Sequence, residues 1–450
     1  MHDNMHRDEQ ETAFKMSKDT DEYKAKLTTL ENAAAVVKDG DTLIHGVTIA
    51  EPPGMLAAIA CRARAGDLSH IKVYTFNAQK HFARTLGSPD IADIVDSYSW
   101  FVSEASRNMV QVGLTQFVPA YLHQVPKIVM ETMEVDVAVA TVSRINEDGY
   151  FSFGPCNGYL SVMATLCKTL IVEVNENMPF VYGDAMIHIS DVSMIVENTV
   201  PLLELLPMQP NPLDPVIGKI VAEYVPDRAV IQLGIGTLPN AIAPYLEGHK
   251  DLGIHTELLC PGMVDLIKKG VITGAHKNVH TGKHIFSLAY GGSETFKYMD
   301  GDKSFENYPS SYVMNPGVIA QNHRMTAVNA ILQIDLLGQC NAEYLEGRQY
   351  SGTGGQLDFV RGAYDSPDGK AILILYSTAK NEEVSRIVSQ FPAGTMVTTP
   401  RNDVHYIATE YGIVNLKGKS TRARALALIS IAHPKFRDEL MRDAENMSLM

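Results

Sequence analysis

The sequence predicts an α/β protein in which two successive series of parallel strands and crossover helices form two open α/β domains. Three observations predict it. Short β-branched runs, IKVYTF at 71–76, DVAVATVS at 136–143 and TLIVEV at 169–174, alternate with longer stretches of helical period such as EPPGMLAAIACRARA, the pattern of parallel strands joined by helices. The stretch from Asn198 to Pro215 is rich in proline and poor in charge, as a boundary would be, and the alternation restarts after it with RAVIQL at 228–233. The length, 450 residues, allows two or three domains at roughly 150 residues each.

Residues 1–27 mix acids and bases without an apolar stretch and read as a flexible N-terminal tail. Order is expected from Thr28, where T-x-x-E (Thr28 to Glu31) suits a capping box for the apolar helix NAAAVV, ending at the Asp39-Gly40 turn. The strand TLIHGV follows. With the boundary set inside the proline-rich stretch, the domains are residues 28–205 and 206–450. The second series continues through KHIFSLAYGG, MTAVNAILQIDLLG, KAILILYST and TMVTTP.

A formal charge of −14 repels phosphate backbones and anionic lipid, so nucleic acid and membrane surfaces are poor partners. No apolar run approaches the roughly 18 residues of a spanning helix. The five cysteines, Cys61, Cys156, Cys167, Cys260 and Cys340, are odd in number, scattered and never in a C-x-x-C pair. They encode neither a disulfide framework nor a zinc knuckle, and a cytoplasmic protein with reduced thiols is expected.

The best local signal is RAVIQLGIGTLPNAIAPYL, a strand running into Gly234-Ile235-Gly236 and a helix with Pro239 in its first turn. Glycines let a ligand approach the backbone, and free N–H groups at a helix start suit an anion. The same turn reads equally well as a tight strand-to-helix connection without a ligand. Glu257 lies near the spacing of a ribose-binding acid, but Pro239 stands where a dinucleotide motif needs its third glycine, so a nicotinamide-dependent oxidoreductase is a distant alternative.

His276, His280 and His284 recur every four residues, yet GAHKNVHTGKH lacks apolar periodicity and reads as a loop rather than a metal-binding helix. Gly418-Lys419-Ser420 precedes a helix, but its spacing from Gly412 is wrong for a P-loop and a basic helix start is preferred. No metal site is expected. The cluster Ser351-Gly352-Thr353-Gly354-Gly355 offers backbone donors for something small and negative. Glu257, in LGIHTELL, should emerge at the C-terminal edge of a parallel strand, the edge that also exposes Gly234 to Gly236.

The segments GIGTLPNAI, IHTELL, VNAILQIDLLGQCNAE, SGTGGQLDFVRGAY and TEYGIVNLKGKSTRARALALISIAHPKFRDEL, with DGYFSFGP and VEVNENMPF in the first half, resemble the acetyl-CoA hydrolase/transferase family. The subgroup most similar is that of the 4-hydroxybutyrate and butyryl-CoA:acetate CoA-transferases. The resemblance implies two α/β domains of the CoA-transferase fold with the active site at their interface, and CoA as a substrate rather than a permanently bound cofactor. The implied partners are acyl-CoA and short-chain carboxylates, and the implied assembly is a homodimer or higher homo-oligomer. The resemblance places a glutamate nucleophile on Glu257 and a CoA-facing turn on Gly234, Ile235, Gly236, Thr237 and Leu238. It places the G-x-G-G element on Gly352, Gly354 and Gly355, and an active-site asparagine on Asn329. The implied reaction moves CoA between acids through a glutamyl-CoA thioester. A hydrolase on the same fold and a CoA-binding sensor without a nucleophile are the alternatives. One departure from the family's pattern, Leu259-Cys260-Pro261 after the glutamate, bears on the acyl pocket.

Overall fold

The structure, a computed structural model, describes residues 20–204, 211–234 and 236–450. These fall into two compact units. One takes residues 20–120, 124–204 and 292–311, and the other takes 121–123, the described part of 211–291, and 312–450. Residues 292–311, assigned from sequence to the second half, thus group with the first, and 121–123 go the other way. The boundary set at 205/206 falls outside the described residues.

The first unit is built on a seven-stranded sheet. Its strands are β1 (Thr42–His45), β2 (Ile71–Phe76), β3 (Val95–Phe101), β4 (Thr115–Phe117), β5 (Val137–Val142), β6 (Thr169–Val174) and β7 (Met194–Glu197). They run in the order β7-β6-β5-β1-β2-β3-β4, every neighbouring pair parallel. The central strands β1, β5 and β6 are buried on both faces, as the middle of a parallel sheet requires, whereas β2, β3 and β4 leave one face partly open at Lys72, Tyr98 and Gln116. On one face, Leu56 and Ile59 of the helix Pro53–Ala65 join Leu43, Val73, Val139 and Ile171 of the sheet in one core. Each fully buried side chain of this kind contributes about 2 kcal/mol. That helix begins with Pro53 in its first turn and stops at Gly66, whose φ of 81° is the left-handed conformation that glycine adopts freely.

Two expectations at the N-terminus are corrected. Residues 20–27, the described part of the segment assigned to a flexible tail, hold the helix Asp21–Lys26, capped by the Thr20 side chain. Tyr23 of this helix is buried and donates its hydroxyl to Glu197 Oε1 at 2.8 Å, which anchors a segment whose composition looks solvated. The next helix, Leu30–Ala34, is capped by Thr29 rather than Thr28. Thr28 is tied to the edge of the sheet through its N–H to the Ile195 carbonyl at 2.8 Å, so the helix starts one residue later. It also ends before Asp39, because Arg62 Nη1 takes the Ala34 and Val37 carbonyls at 2.6 and 2.7 Å.

In the second unit, β8 (Val230–Leu233), β9 (Gly253–Leu259), β10 (His284–Ala289), β11 (Met325–Ala330), β12 (Lys370–Ile374), β13 (Tyr406–Thr409) and β14 (Gly412–Asn415) lie in the order β14-β13-β12-β11-β8-β9-β10. All neighbours are parallel except the hairpin β13-β14. TMVTTP, counted from sequence in the same series, forms no strand. Only Thr399 makes an isolated bridge, to Cys340. All five cysteines are free, and Cys156, Cys260 and Cys340 are buried. Among the described residues no helix is long and apolar enough to cross a membrane.

Candidate active site

Three adjacent strands of the second unit set the level of the site. The β8-β9 register pairs Ile231 with Ile254, and its continuation brings Gly234 level with Glu257. The β8-β11 register pairs Leu233 with Val328 and brings Gly234 level with Asn329. Asn329, Gly234 and Glu257 therefore share the C-terminal edge, where open parallel sheets bind ligands. Beyond Glu257 the chain turns at Cys260 into the helix Pro261–Lys268, with proline in the first turn.

Glu257 is 5% exposed. Its Oε2 accepts the Gly355 N–H at 2.9 Å, while Oε1, also buried, has no hydrogen-bond partner. Burial pushes the carboxyl up to about 7; the Gly355 N–H pulls it down and the charge of Asp358 adds to the rise. A group of this kind ionises near neutral pH and presents one unengaged oxygen, which suits it to act as a nucleophile.

Gly355 caps the helix Gln356–Asp365 with φ −94° and ψ 7°, a backbone open to any residue. Space, not conformation, demands the glycine: a Cβ there would lie 2.6 Å from Glu257 Oε2 and 3.1 Å from Met314 Cγ. Gly354 differs, since its φ of 57° is left-handed. The loop is anchored by Glu343, whose Oε1 accepts the Thr353 and Thr398 hydroxyls at 3.3 and 3.0 Å and whose Oε2 accepts Gln349 Nε2 at 3.0 Å. Gly352 is buried within it, its carbonyl accepting the Ser351 hydroxyl at 3.4 Å.

At the other glycine turn, Gly234 donates its N–H to the Val328 carbonyl at 2.8 Å, and a Cβ on it would come within 2.6 Å of Asn329 Oδ1. Gly236 has φ 122° and precedes the single helical turn Thr237–Asn240, in which Leu238 is buried and Thr237 half-buried. Ile235 lies outside the described residues. Asn329 is engaged by Gln232 in a closed pair of amide hydrogen bonds, at 3.0 Å one way and 3.1 Å the other. The structure thus joins Glu257 to Gly355 and Gly234 to Asn329. Among the described residues the Gly234–Leu238 turn makes no hydrogen bond to Glu257, and neither do Gly352 and Gly354.

The three spaced histidines go separate ways. His276 lies 3.6 Å from Asp251, His280 meets the Tyr312 hydroxyl at 2.7 Å, and His284 is buried in β10. Gly418-Lys419-Ser420 ends in a helix cap, with Ser420 Oγ accepting the Ala423 N–H at 3.2 Å.

Four residues around the site escaped the sequence reading. Gln232 had a signal, a lone amide in the apolar run RAVIQL. Glu343 and Asp358 are carboxylates in polar-looking stretches whose burial, 7% and 2% exposed, is not legible locally. His123 reaches Asp358 from far earlier in the chain and had no signal.

Comparison with known proteins gives a consistent result. The acetyl-CoA hydrolase/transferase N-terminal domain matches residues 5–205 and the corresponding C-terminal domain matches residues 291–444. The succinyl-CoA:cyclohexane-1-carboxylate CoA transferase of Geobacter metallireducens is 41% identical over 95% of this chain and 97% of its own. The 4-hydroxybutyrate coenzyme A transferase of Clostridium kluyveri is 38% identical over 94% and 97%. The crystal structure of RipA from Yersinia pestis superposes with a TM-score of 0.92 at 43% identity, covering 95% of this chain and 99% of that one.

Proposed function

Because the chain belongs to the acetyl-CoA hydrolase/transferase family, we propose that it transfers CoA between a short-chain acyl-CoA, of the 4-hydroxybutyryl or butyryl class, and acetate, with Glu257 as the nucleophile. The observation that carries this reading is the asymmetry of the Glu257 carboxylate: Oε2 is held by the Gly355 N–H and Oε1 is buried and bare. Oε1 attacks the thioester carbonyl and CoA leaves as the thiolate, giving an acyl–glutamyl anhydride. The thiolate then attacks the glutamyl carbonyl, the first acid departs as its carboxylate, and a glutamyl-CoA thioester remains. The acceptor carboxylate runs both steps in reverse.

In the second step the oxygen that gathers negative charge is Oε2 of Glu257, and the Gly355 N–H is already on it. A donor placed in this way is worth about 3 kcal/mol in the transition state. The Gly234–Leu238 turn and the Gly352–Gly355 loop are the candidate cradles for CoA and the acyl oxyanion, with Asn329 lying against Gly234 of the first. CoA enters as a substrate, and the steps call for neither a metal nor a resident cofactor. Five free thiols fit a reducing compartment such as the cytoplasm.

The test is intact-mass and peptide analysis after incubation with acyl-CoA and no acceptor, followed by borohydride trapping. CoA attached to the protein is expected before reduction, and borohydride, which reduces the thioester and expels CoA as its thiol, should leave the Glu257 side chain as a primary alcohol. The acyl donors should include 4-hydroxybutyryl-, butyryl-, succinyl- and cyclohexane-1-carboxyl-CoA, the last two because the Geobacter relative carries them in its name. An adduct on another carboxylate would remove Glu257 from the mechanism, and repeated turnover that releases free CoA without acceptor, beyond the single equivalent of acid set free when the thioester forms, would mark a hydrolase.

A further inference from the structure

The helix capped by Gly355 carries a second buried carboxylate in its first turn, three residues past the N–H that holds Glu257. Asp358 is 2% exposed, and its negative charge works against ionisation of Glu257. Across from it, His123 Nδ1 lies 2.9 Å from Asp358 Oδ2, an ion-pair distance without the alignment of a hydrogen bond. The short turn Leu122–Gln124 that carries His123 is held against the glycine loop, since the Leu122 N–H donates to the Gly354 carbonyl at 3.3 Å. Residues 121–123 leave the rest of the first half of the chain to belong to this unit, so the contact has been built across a large sequence separation.

We propose that His123 and Asp358 form a charge-compensating pair that governs how readily Glu257 ionises, making both of them positioning residues of the transfer reaction. The imidazole of His123 offsets the Asp358 charge that Glu257 feels, and without that imidazole the charge acts on Glu257 in full. The other groups facing the pair do not substitute for His123. Arg361 adds a favourable charge to Asp358, but its guanidinium is paired with Asp403 at 3.1 and 3.3 Å. Tyr121 stacks near His123, with ring centroids 6.2 Å apart. Facing Glu257 itself are the Gly355 N–H and Asp358.

The proposal rests on Glu257 as nucleophile, and the experiment separates the two ideas. Exchange of labelled acetate into acyl-CoA is followed from pH about 5 to 9 for the wild type and for Glu257→Gln, Asp358→Asn and His123→Gln. The acid limb, which reads ionisation of Glu257, should move down by about one pH unit in Asp358→Asn and up by as much as one unit in His123→Gln. A helix-capping role for Asp358 would change the rate or the unfolding temperature and leave the limb in place. An unmoved limb, or a shift of opposite sign, in a folded variant overturns the proposal. If Asp358→Asn does not fold, His123→Gln decides, because that side chain is 21% exposed. Retained exchange in Glu257→Gln would instead overturn the nucleophile on which the pair acts.

Discussion

Gly355 and Glu257 are 98 residues apart in the chain, and the N–H of one is 2.9 Å from the carboxylate of the other. The pair lets a helix N-terminus hold one oxygen of a buried acid and leave the other bare. Gly355→Ala keeps an allowed backbone but drives a methyl group to within 2.6 Å of Oε2. Exchange should fall by about 100-fold or more, with the unfolding temperature nearly unchanged. Gly354→Ala should behave differently, because its φ of 57° makes any side chain cost about 1 kcal/mol or more. Thermal unfolding run beside steady-state exchange distinguishes them, and equal loss of stability in both variants would contradict the steric account.

The raised Glu257 carboxyl, at about 7 against 4.5 for the free group, has a stability consequence of definite sign. Between those two values the folded state holds a proton that the unfolded state has released, so stability falls as pH rises through that window. Glu257→Gln removes the effect. At pH about 8 the variant should be more stable than the wild type by up to about 3 kcal/mol, the difference vanishing below pH about 4.5. Denaturant unfolding at the two ends of the window measures it; a variant less stable than the wild type at the alkaline end would contradict the burial penalty.

Asn329 and Gln232 satisfy each other's amides inside the sheet. Replacing either with alanine strands the other, a loss of about 1–3 kcal/mol, whereas replacing both removes the need. The double variant should therefore be less destabilised than the sum of the singles by about 1 kcal/mol or more. Simple additivity would mean that the amides find other partners.

At the N-terminus, Tyr23→Ala should lower stability by about 3 kcal/mol, because a side chain 1% exposed and bonded to Glu197 is lost. A chain shortened to begin at Thr28 should lose at least as much. If the shortened chain unfolded at the wild-type temperature, the helix Asp21–Lys26 would contribute nothing to the fold.

Elements whose signal is local were legible. The runs at 71–76 and 169–174 became strands with those bounds, since β-branched residues between turn signals have few other uses. Glu257 was legible by position, as a polar residue near the end of an apolar strand. Features that depend on distant partners were not. Thr29 rather than Thr28 caps its helix because the strand at Ile195 holds Thr28. TMVTTP has β-propensity but offers only Thr399 a partner, and propensity without a partner strand does not make a strand. Asp358 stands inside SGTGGQLDFVRGAY, yet its burial and its imidazole partner come from the tertiary fold.

The contact between the Leu122 N–H and the Gly354 carbonyl also imposes an order on assembly. At about 5–20 residues per second, a ribosome needs roughly 10 to 50 s to go from one to the other. Throughout that interval the imidazole of His123 has not yet met Asp358, its partner in the folded chain. In ribosome-bound chains arrested before Gly354 it should be open to carbethoxylation and in the released chain protected; equal reactivity would refute this order. The nascent protein accordingly completes most of its first sheet while the surroundings of Glu257 are still unmade, and no partial translation product that ends before Gly355 carries the contact between Glu257 and the Gly355 N–H.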